Sequence, residues 1–292
     1  MTNERLMIMW KKLRVVRGML CTALLLLSLP ACAWQDSLSP EDSFKRALAG
    51  LSGVDNFAFK GEAAIRTEES GLFQQTLAFE GKLQNHTNLT LSSRTSGRTI
   101  QDKTSKGSLQ QATGDSVYST DGMTVSLKRK EGQWSALTSG QAEELWMTRL
   151  NPLEQLEYIG EADKTISGEL GAARGTKVLR IELSPEAAAN MTKRSLQGQM
   201  KLLLERMQRK GDPLYSEDPK VRARLKAVWE RDNEELTRLL DQAEAASICH
   251  LTIDKRSQLP IRMTMERSVS YVDRSGKART EALLSDVTFI GY

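Results

Sequence analysis

The strongest constraint on how this chain folds is an alternation of period two near its C-terminus. Leu259, Ile261, Met263, Met265, Val269 and Tyr271 occupy odd positions, with Arg262, Thr264, Glu266 and Ser268 between them. Successive side chains of a strand point to opposite faces, so this run predicts a strand with one buried face and one wet face. Arg267 alone breaks the apolar set. The same period recurs upstream. Phe57, Phe59, Gly61, Ala63 and Ile65 share a face opposite Lys60, Glu62 and Arg66. Phe73, Leu77, Phe79 and Leu83 share another, opposite Gln74, Thr76 and Glu80. With Glu69-Ser70-Gly71 as the turn, the two runs predict a long hairpin, apolar on one side, as antiparallel sheets commonly are.

Asn88 to Ser96 predicts a third strand. After the polar, Gly-dotted stretch 97–115, a loop or weak edge, Val117-Tyr118 and then Met123, Val125 and Leu127 restart the sheet. Asp121-Gly122 and Glu131-Gly132 mark turns, and Trp134 lies in a short strand beyond. The charge run Lys128-Arg129-Lys130 reads as a solvated hairpin tip. Further strands are expected at Thr165 to Leu170, at Lys177 to Leu183, around Cys249 with Leu251 and Ile253, and last with Leu283, Val287 and Phe289. About ten strands with helices between them make the fold class α+β, built on one large antiparallel sheet.

Three helical regions interrupt the sheet. Ser39-Pro40-Glu41-Asp42 supplies a cap, a first-turn proline and two acids for the positive helix end, and that helix should stop near Gly50 or Gly53. Gln141 to Leu150 leads into Asn151-Pro152-Leu153-Glu154, a second capped start. Residues 185–246 carry helical period throughout, with Leu196, Met200, Leu203 and Met207 on one stripe. Gly211-Asp212-Pro213 breaks it, Asp218-Pro219 begins again, and Val221, Leu225, Val228, Leu236, Leu239 and Ala243 follow. This predicts an αα-hairpin whose stripe packs on the sheet or on itself. Its remaining faces are charged, so it is not expected to enter a bilayer.

The N-terminus reads as a segment apart from the fold. Arg5, Lys11, Lys12, Arg14 and Arg17 precede an apolar core, Met19 to Leu29, that is short for a membrane span and suits a secretory signal peptide covering residues 1–31. Leu29-Pro30-Ala31-Cys32 resembles the bacterial lipobox, which implies lipidation at Cys32. Pro30 departs from the small residue usual there, so ordinary cleavage near Ala31 or Ala33 without a lipid is the alternative. The expectation is an exported protein, lipid-anchored by Cys32 to the outer, extracytoplasmic face of the cell membrane. Residues 32–39 would be anchor and tether, and residues 40–292 one domain with the hairpin 185–246 inserted.

The leader also carries the charge. The 292 residues hold 41 Lys+Arg against 37 Asp+Glu, a net +4. Residues 1–31 contain five basic residues and one acidic, which leaves 36 of each sign downstream. A neutral mature chain is not expected to bind nucleic acid, which demands a basic surface.

No catalytic arrangement is legible. The only histidines, His86 in a polar turn and His250 opposite Leu251, have no G-x-S-x-G nearby. Glu143-Glu144 and Glu234-Glu235 are helical neighbours that point apart. Of three cysteines, Cys21 lies in the leader and Cys32 is the proposed anchor. Cys249 therefore reads as a buried core thiol. No enzyme activity, cofactor or metal is expected.

Several features together resemble the LolA/LppX-type family of bacterial envelope lipoproteins and lipid carriers. They are the exported N-terminus, the helix before a strand meander, and the helical segment Asn151-Pro152-Leu153-Glu154-Gln155-Leu156. The hairpin from Val117-Tyr118 through Asp121-Gly122 to Gln133-Trp134 is similar too, as is Ile253-Asp254-Lys255-Arg256-Ser257-Gln258-Leu259-Pro260. The resemblance implies a curved, incomplete β-barrel whose concave apolar face is covered by helices and holds a lipid, lipoprotein or other acyl ligand. The wall would be Phe57 and Phe59 on one strand, Phe73, Leu77 and Phe79 on the next, then Met123, Val125 and Leu127. Met263, Met265, Val287 and Phe289 would complete it. The alternative is a structural or regulatory envelope lipoprotein that docks a protein partner through the helical hairpin.

Overall fold

The computed structural model describes residues 38–67, 73–94, 123–137, 147–212 and 215–292. The leader, Cys32, the turn at Glu69-Ser70-Gly71, the stretch 97–115, the Val117 to Gly122 part of the Tyr–turn–Trp hairpin and residues 141–146 lie outside them.

Helix α1 (Pro40–Ser52) is followed by β1 (Phe57–Thr67), β2 (Phe73–Gln84), β3 (Asn88–Arg94), β4 (Thr124–Lys130) and β5 (Gln133–Ala136). Then come α2 (Pro152–Glu161), β6 (Lys164–Glu169), β7 (Thr176–Leu183), α3 (Pro185–Gln208), α4 (Pro219–Gln242), β8 (Glu244–Asp254), β9 (Pro260–Val272) and β10 (Ala278–Ile290). The ten strands form one antiparallel sheet in the order β5-β4-β3-β2-β1-β10-β9-β8-β7-β6. Two five-strand meanders thus meet at the β1–β10 pair. The sheet is not closed, since β5 and β6 are its two edges. It is an α+β fold built on a curved, incomplete barrel.

That strand order dictates where a helix must lie. Residues 138–163 carry the chain from the β5 edge to the β6 edge, and α2 is part of that passage. Nine strand spacings come to about 43 Å if flat, whereas α1 and α2 are only ~20 and ~15 Å long. Two such helices cannot hide a flat ten-strand face. The inward residues are buried nonetheless, from Leu127 on β4 to Ile181 on β7, because the sheet curls around its cover.

Local devices match the sequence signals. Asn151 caps α2, its Oδ1 accepting from the Leu153 N–H at 3.1 Å, with Pro152 in the first turn. Ser184 and Asp218 cap α3 and α4 in the same way. Glu131 and Gly132 both have positive φ in the two-residue turn between β4 and β5, as a tight hairpin requires. The Asp254 carboxylate accepts from the N–H groups of Arg256 and Ser257, closing the β8–β9 turn. These bonds, those from Ser257 first, hold its pKa below the ordinary carboxylate value.

Two expectations need correction. The helical hairpin ends at Gln242 and β8 begins at Glu244, so the last residues of the 185–246 run are strand. Tertiary pairing with β9 overrides their alanine-rich helical propensity. Nor is Lys128-Arg129-Lys130 simply a solvated tip. Arg129 is half-buried and forms an ion pair with Glu157 of α2 at 3.0 Å, which pins the covering helix to the β4–β5 hairpin.

A candidate ligand-binding face

The concave face is built row by row from the alternation. Phe57, Phe59 and Ala63 point inward from β1, Leu77, Phe79 and Leu83 from β2, and Leu89 and Leu91 from β3. Val125 and Leu127 continue it on β4, with Met123 buried just before that strand. On the other half, Leu179 and Ile181 (β7), Cys249 and Leu251 (β8), Met263 and Met265 (β9) and Val287 and Phe289 (β10) complete it. Phe44 and Leu51 of α1 and Leu153, Leu156 and Ile159 of α2 pack against this surface in one cluster. Eleven of the twelve residues proposed as a wall therefore come together. Phe73 is the twelfth; its backbone is in β2, and its side chain lies outside the described positions.

Aromatic rings fix the middle of the sheet. Phe59 stands opposite Gly81, and Phe79 opposite Gly61. A Cβ at Gly81 would overlap the Phe59 ring, and one at Gly61 would lie 2.5 Å from the Phe79 ring and 2.9 Å from the Asp286 carbonyl. Each ring thus lies across the glycine of the neighbouring strand, where it replaces the missing side chain. Phe59 and Phe79 meet edge to face at 6.4 Å, a favoured aromatic geometry. Phe57, Phe289 and Tyr292 extend the stack, with ring centroids 5.4 to 6.4 Å apart. The Tyr292 hydroxyl donates to the Pro260 carbonyl.

The cover is held by polar bonds at its rim. The Tyr158 hydroxyl donates to the Ala187 carbonyl at 2.8 Å, joining α2 to α3, and Trp134 Nε1 donates to Glu157. Lys177 Nζ donates to Ser43 of α1 at 2.6 Å. The opposite face of the sheet is polar and carries a groove of about 470 Å³ between Lys60, Glu62, Glu80, Arg262 and Asp286. Arg262 and Asp286 pair across it through two hydrogen bonds.

One feature of the concave face did not follow from the wall of apolar residues. Arg267 of β9 is buried at 9% exposure, in the row beyond Met265. Burial and the nearby Arg149 guanidinium lower its pKa to about 10, with Glu154 acting in the opposite direction. Burial likewise lowers Arg149 and raises Glu154. The break in the odd-position alternation marked Arg267 in the sequence. Nothing there marked Arg149, which reaches the same region from the turn before α2.

The remaining candidates resolve plainly. Cys249 is buried, and desolvation pushes its thiol up to about 12. His86 of the β2–β3 turn pairs with Asp55 between α1 and β1, and His250 lies 2.9 Å from Glu169 on the outer face. Among the described residues no group of three His, Cys, Asp or Glu side chains is placed to hold a metal ion.

No protein family and no curated protein matches the chain in sequence. Among solved structures it is similar to lipovitellin, described for its lipid–protein interactions, at 9% identity and a TM-score of 0.34, over 81% of this chain and 25% of that one. The chain thus spans about a quarter of the length of the lipovitellin chain. It is also similar to a DUF1329 family protein from Desulfovibrio piger, at 9% identity and a TM-score of 0.20, over 85% of this chain and 89% of that one. Likeness of this degree carries nothing about what this chain binds.

Proposed function

We propose that this protein is exported, anchored to the membrane through Cys32, and holds a lipid or other apolar ligand against the concave face of its half-barrel, without chemistry. The observation that carries the reading is a broad concave apolar face closed only by short helical elements. Ten strands contribute apolar side chains, and among the described residues the cover is two short helices, one helical turn and the start of α3. Apolar contact is non-directional, so an acyl chain can replace inward side chains of the cover with no hydrogen bond lost. Each buried methylene would contribute ~0.8 kcal/mol. Export and anchoring rest on the basic leader, its apolar core and the Leu29-Pro30-Ala31-Cys32 junction.

Native mass spectrometry of residues 33–292 after exposure to mixed phospholipids tests the binding. Retention of lipid in the folded protein is expected, and an apo mass under every condition would sink the reading. Metabolic labelling with an alkyne fatty acid tests the anchor. Label on the wild type and none on Cys32→Ala is the expected result.

A second reading, docking of an envelope protein partner, is favoured by one observation. Helix α4 buries none of its 24 residues and leaves Val221 and Val228 exposed. Removing the helical hairpin should then abolish partner capture while the sheet stays folded. Capture that survives the deletion would refute it.

A further inference from the structure

The apolar face ends in a patch whose unpartnered atoms are almost all hydrogen-bond donors. Along β9 the inward residues run Met263, Met265, Arg267, and then the half-buried Val269 and Tyr271. In register beside Arg267 on β8 is Ser247, buried at 4% exposure with no partner for its hydroxyl. Arg149, which acts on Arg267 as a like charge, lies just before α2, and its Nε and the Nδ2 of Asn151 two residues on are buried without partners. Arg267 itself makes no hydrogen bond or ion pair among the described residues. Among the described residues, Gln155 Oε1 is the one buried unpartnered acceptor nearby, while its amide donates to the Arg149 carbonyl at 2.6 Å.

Buried polar groups are ordinarily paired, and a buried charge without a partner is costly. Here two guanidinium groups lie within electrostatic reach of each other. Among the described residues, the carboxylates that face them are Glu154 of α2 and Glu281 of β10, and neither forms an ion pair with Arg149 or Arg267. Glu281 already accepts from the Tyr271 hydroxyl at 2.7 Å, and burial of Glu154 works against its negative charge. Exposed Arg194 on α3 acts on Glu154 and Tyr158 from the outer side and adds a further positive charge. A convergence of guanidinium, hydroxyl and amide donors calls for an acceptor that carries negative charge. Planar guanidinium forks suit the oxygens of phosphate or carboxylate.

We propose that Arg267 and Arg149, with Ser247 and Asn151, form an oxyanion-binding subsite at one end of the concave face, and that it takes the anionic headgroup of a bound amphiphile. The inference rests on the lipid-binding reading above and names its ligand class: acyl chains along the Met263 and Met265 rows, with a phosphate or carboxylate at Arg267. The apolar face alone would hold any acyl chain. The arginines would select among headgroups.

The test uses the full chain in a non-ionic detergent, offered phosphatidylglycerol and diacylglycerol with identical acyl chains, and counts retained lipid by native mass spectrometry. The wild type should retain the anionic lipid about tenfold over the uncharged one, the scale of one charge-assisted hydrogen bond. Arg267→Met and Arg149→Met should lose that preference and hold diacylglycerol, which brings no oxyanion to the subsite, as before. Equal retention of both lipids by the wild type would overturn the headgroup site and leave lipid binding standing. Retention of neither would overturn the lipid reading itself. Inorganic phosphate is the third probe. If it stabilises the wild type against heat, fails to stabilise Arg267→Met, and no lipid preference is seen, the source is free phosphate and the headgroup assignment is wrong. The unfolding temperature of Arg267→Met without ligand is an independent check. Replacing an uncompensated buried charge by a side chain of similar volume should raise it. A fall would mean that Glu154 already compensates Arg267, and the proposal would not survive.

Discussion

The concave face and the α3–α4 hairpin are built from similar sequence material and reach opposite degrees of burial. Both carry an apolar stripe of regular period. On the face, Phe59, Leu91, Leu251 and Met263 are fully buried. In the hairpin, Leu196, Met200, Leu203 and Leu225 are half-buried at best, and α4 buries nothing completely. The difference is one of partners. The sheet curls on its cover, whereas α3 divides its packing between β8 and α4, and α4 packs mainly on α3, joined to it by Trp229 Nε1 donating to the Met200 carbonyl at 2.9 Å and by Lys193 pairing with Asp241. A hydrogen-bonded pair of Glu235 and Arg274 ties α4 to the β9–β10 turn. Two amphipathic helices alone cannot exclude water from both stripes. Beyond Thr192, where α3 leaves the core, the hairpin is accordingly the region whose loss the fold should tolerate best.

The comparison can be broken from its strongest side first. Phe59→Ala removes a fully buried ring and opens the space over Gly81. A loss of about 3–5 kcal/mol is expected in urea unfolding, and a loss below that of a surface substitution would mean that the centre of the sheet is not the core. The Cys249 thiol gives a pH-dependent counterpart. Its pKa is raised from 9.0 to about 12, so the folded state keeps the proton that the unfolded chain gives up. Its contribution is complete below pH 9 and declines by about 1.4 kcal/mol per pH unit as pH rises from 9 toward 12. Stability profiles of the wild type and Cys249→Ala should separate below pH 9 and converge above it. Parallel profiles would refute the burial.

Gly81→Ala should cost about 1–3 kcal/mol, because its methyl meets the Phe59 ring. In a Phe59→Ala background the same substitution should be close to neutral, and a double-mutant cycle reads that coupling directly. Asn151→Ala, which removes the cap of α2, should cost about 1 kcal/mol, seen as a shift in urea midpoint with an unchanged slope. At the other end of the scale, Val228→Ser on α4 should change stability by less than about 0.5 kcal/mol. A large effect there would show that the hairpin stripe is covered in solution.

Much of this fold was legible in the sequence because its signals are local. Period two located the strands, and Asn151-Pro152 and Asp218-Pro219 opened helices where capping chemistry requires. The wall residues whose side chains are described were read correctly as facing one side, since alternation alone decides which side a strand residue occupies. Where reading failed, a contact between distant segments decided the outcome. Arg129 left the expected solvated tip because Glu157, 28 positions on, lies beside it. Glu244 to Ala246 became strand because β9 pairs with them. Arg267 was visible only as an interruption, and Arg149 not at all, since no periodicity joins a turn before a helix to a strand more than a hundred residues later.

The sequence by itself determined the strands, their inward faces, the helix starts and the balance of charge, because propensity, period and composition belong to each segment alone. Only the tertiary structure decided that two meanders join at β1 and β10, that the sheet curls around two short helices, and that two arginines converge at the end of an apolar face. Those outcomes depend on which segments meet across the fold, and burial and charge pairing acquire their energies only once they have met.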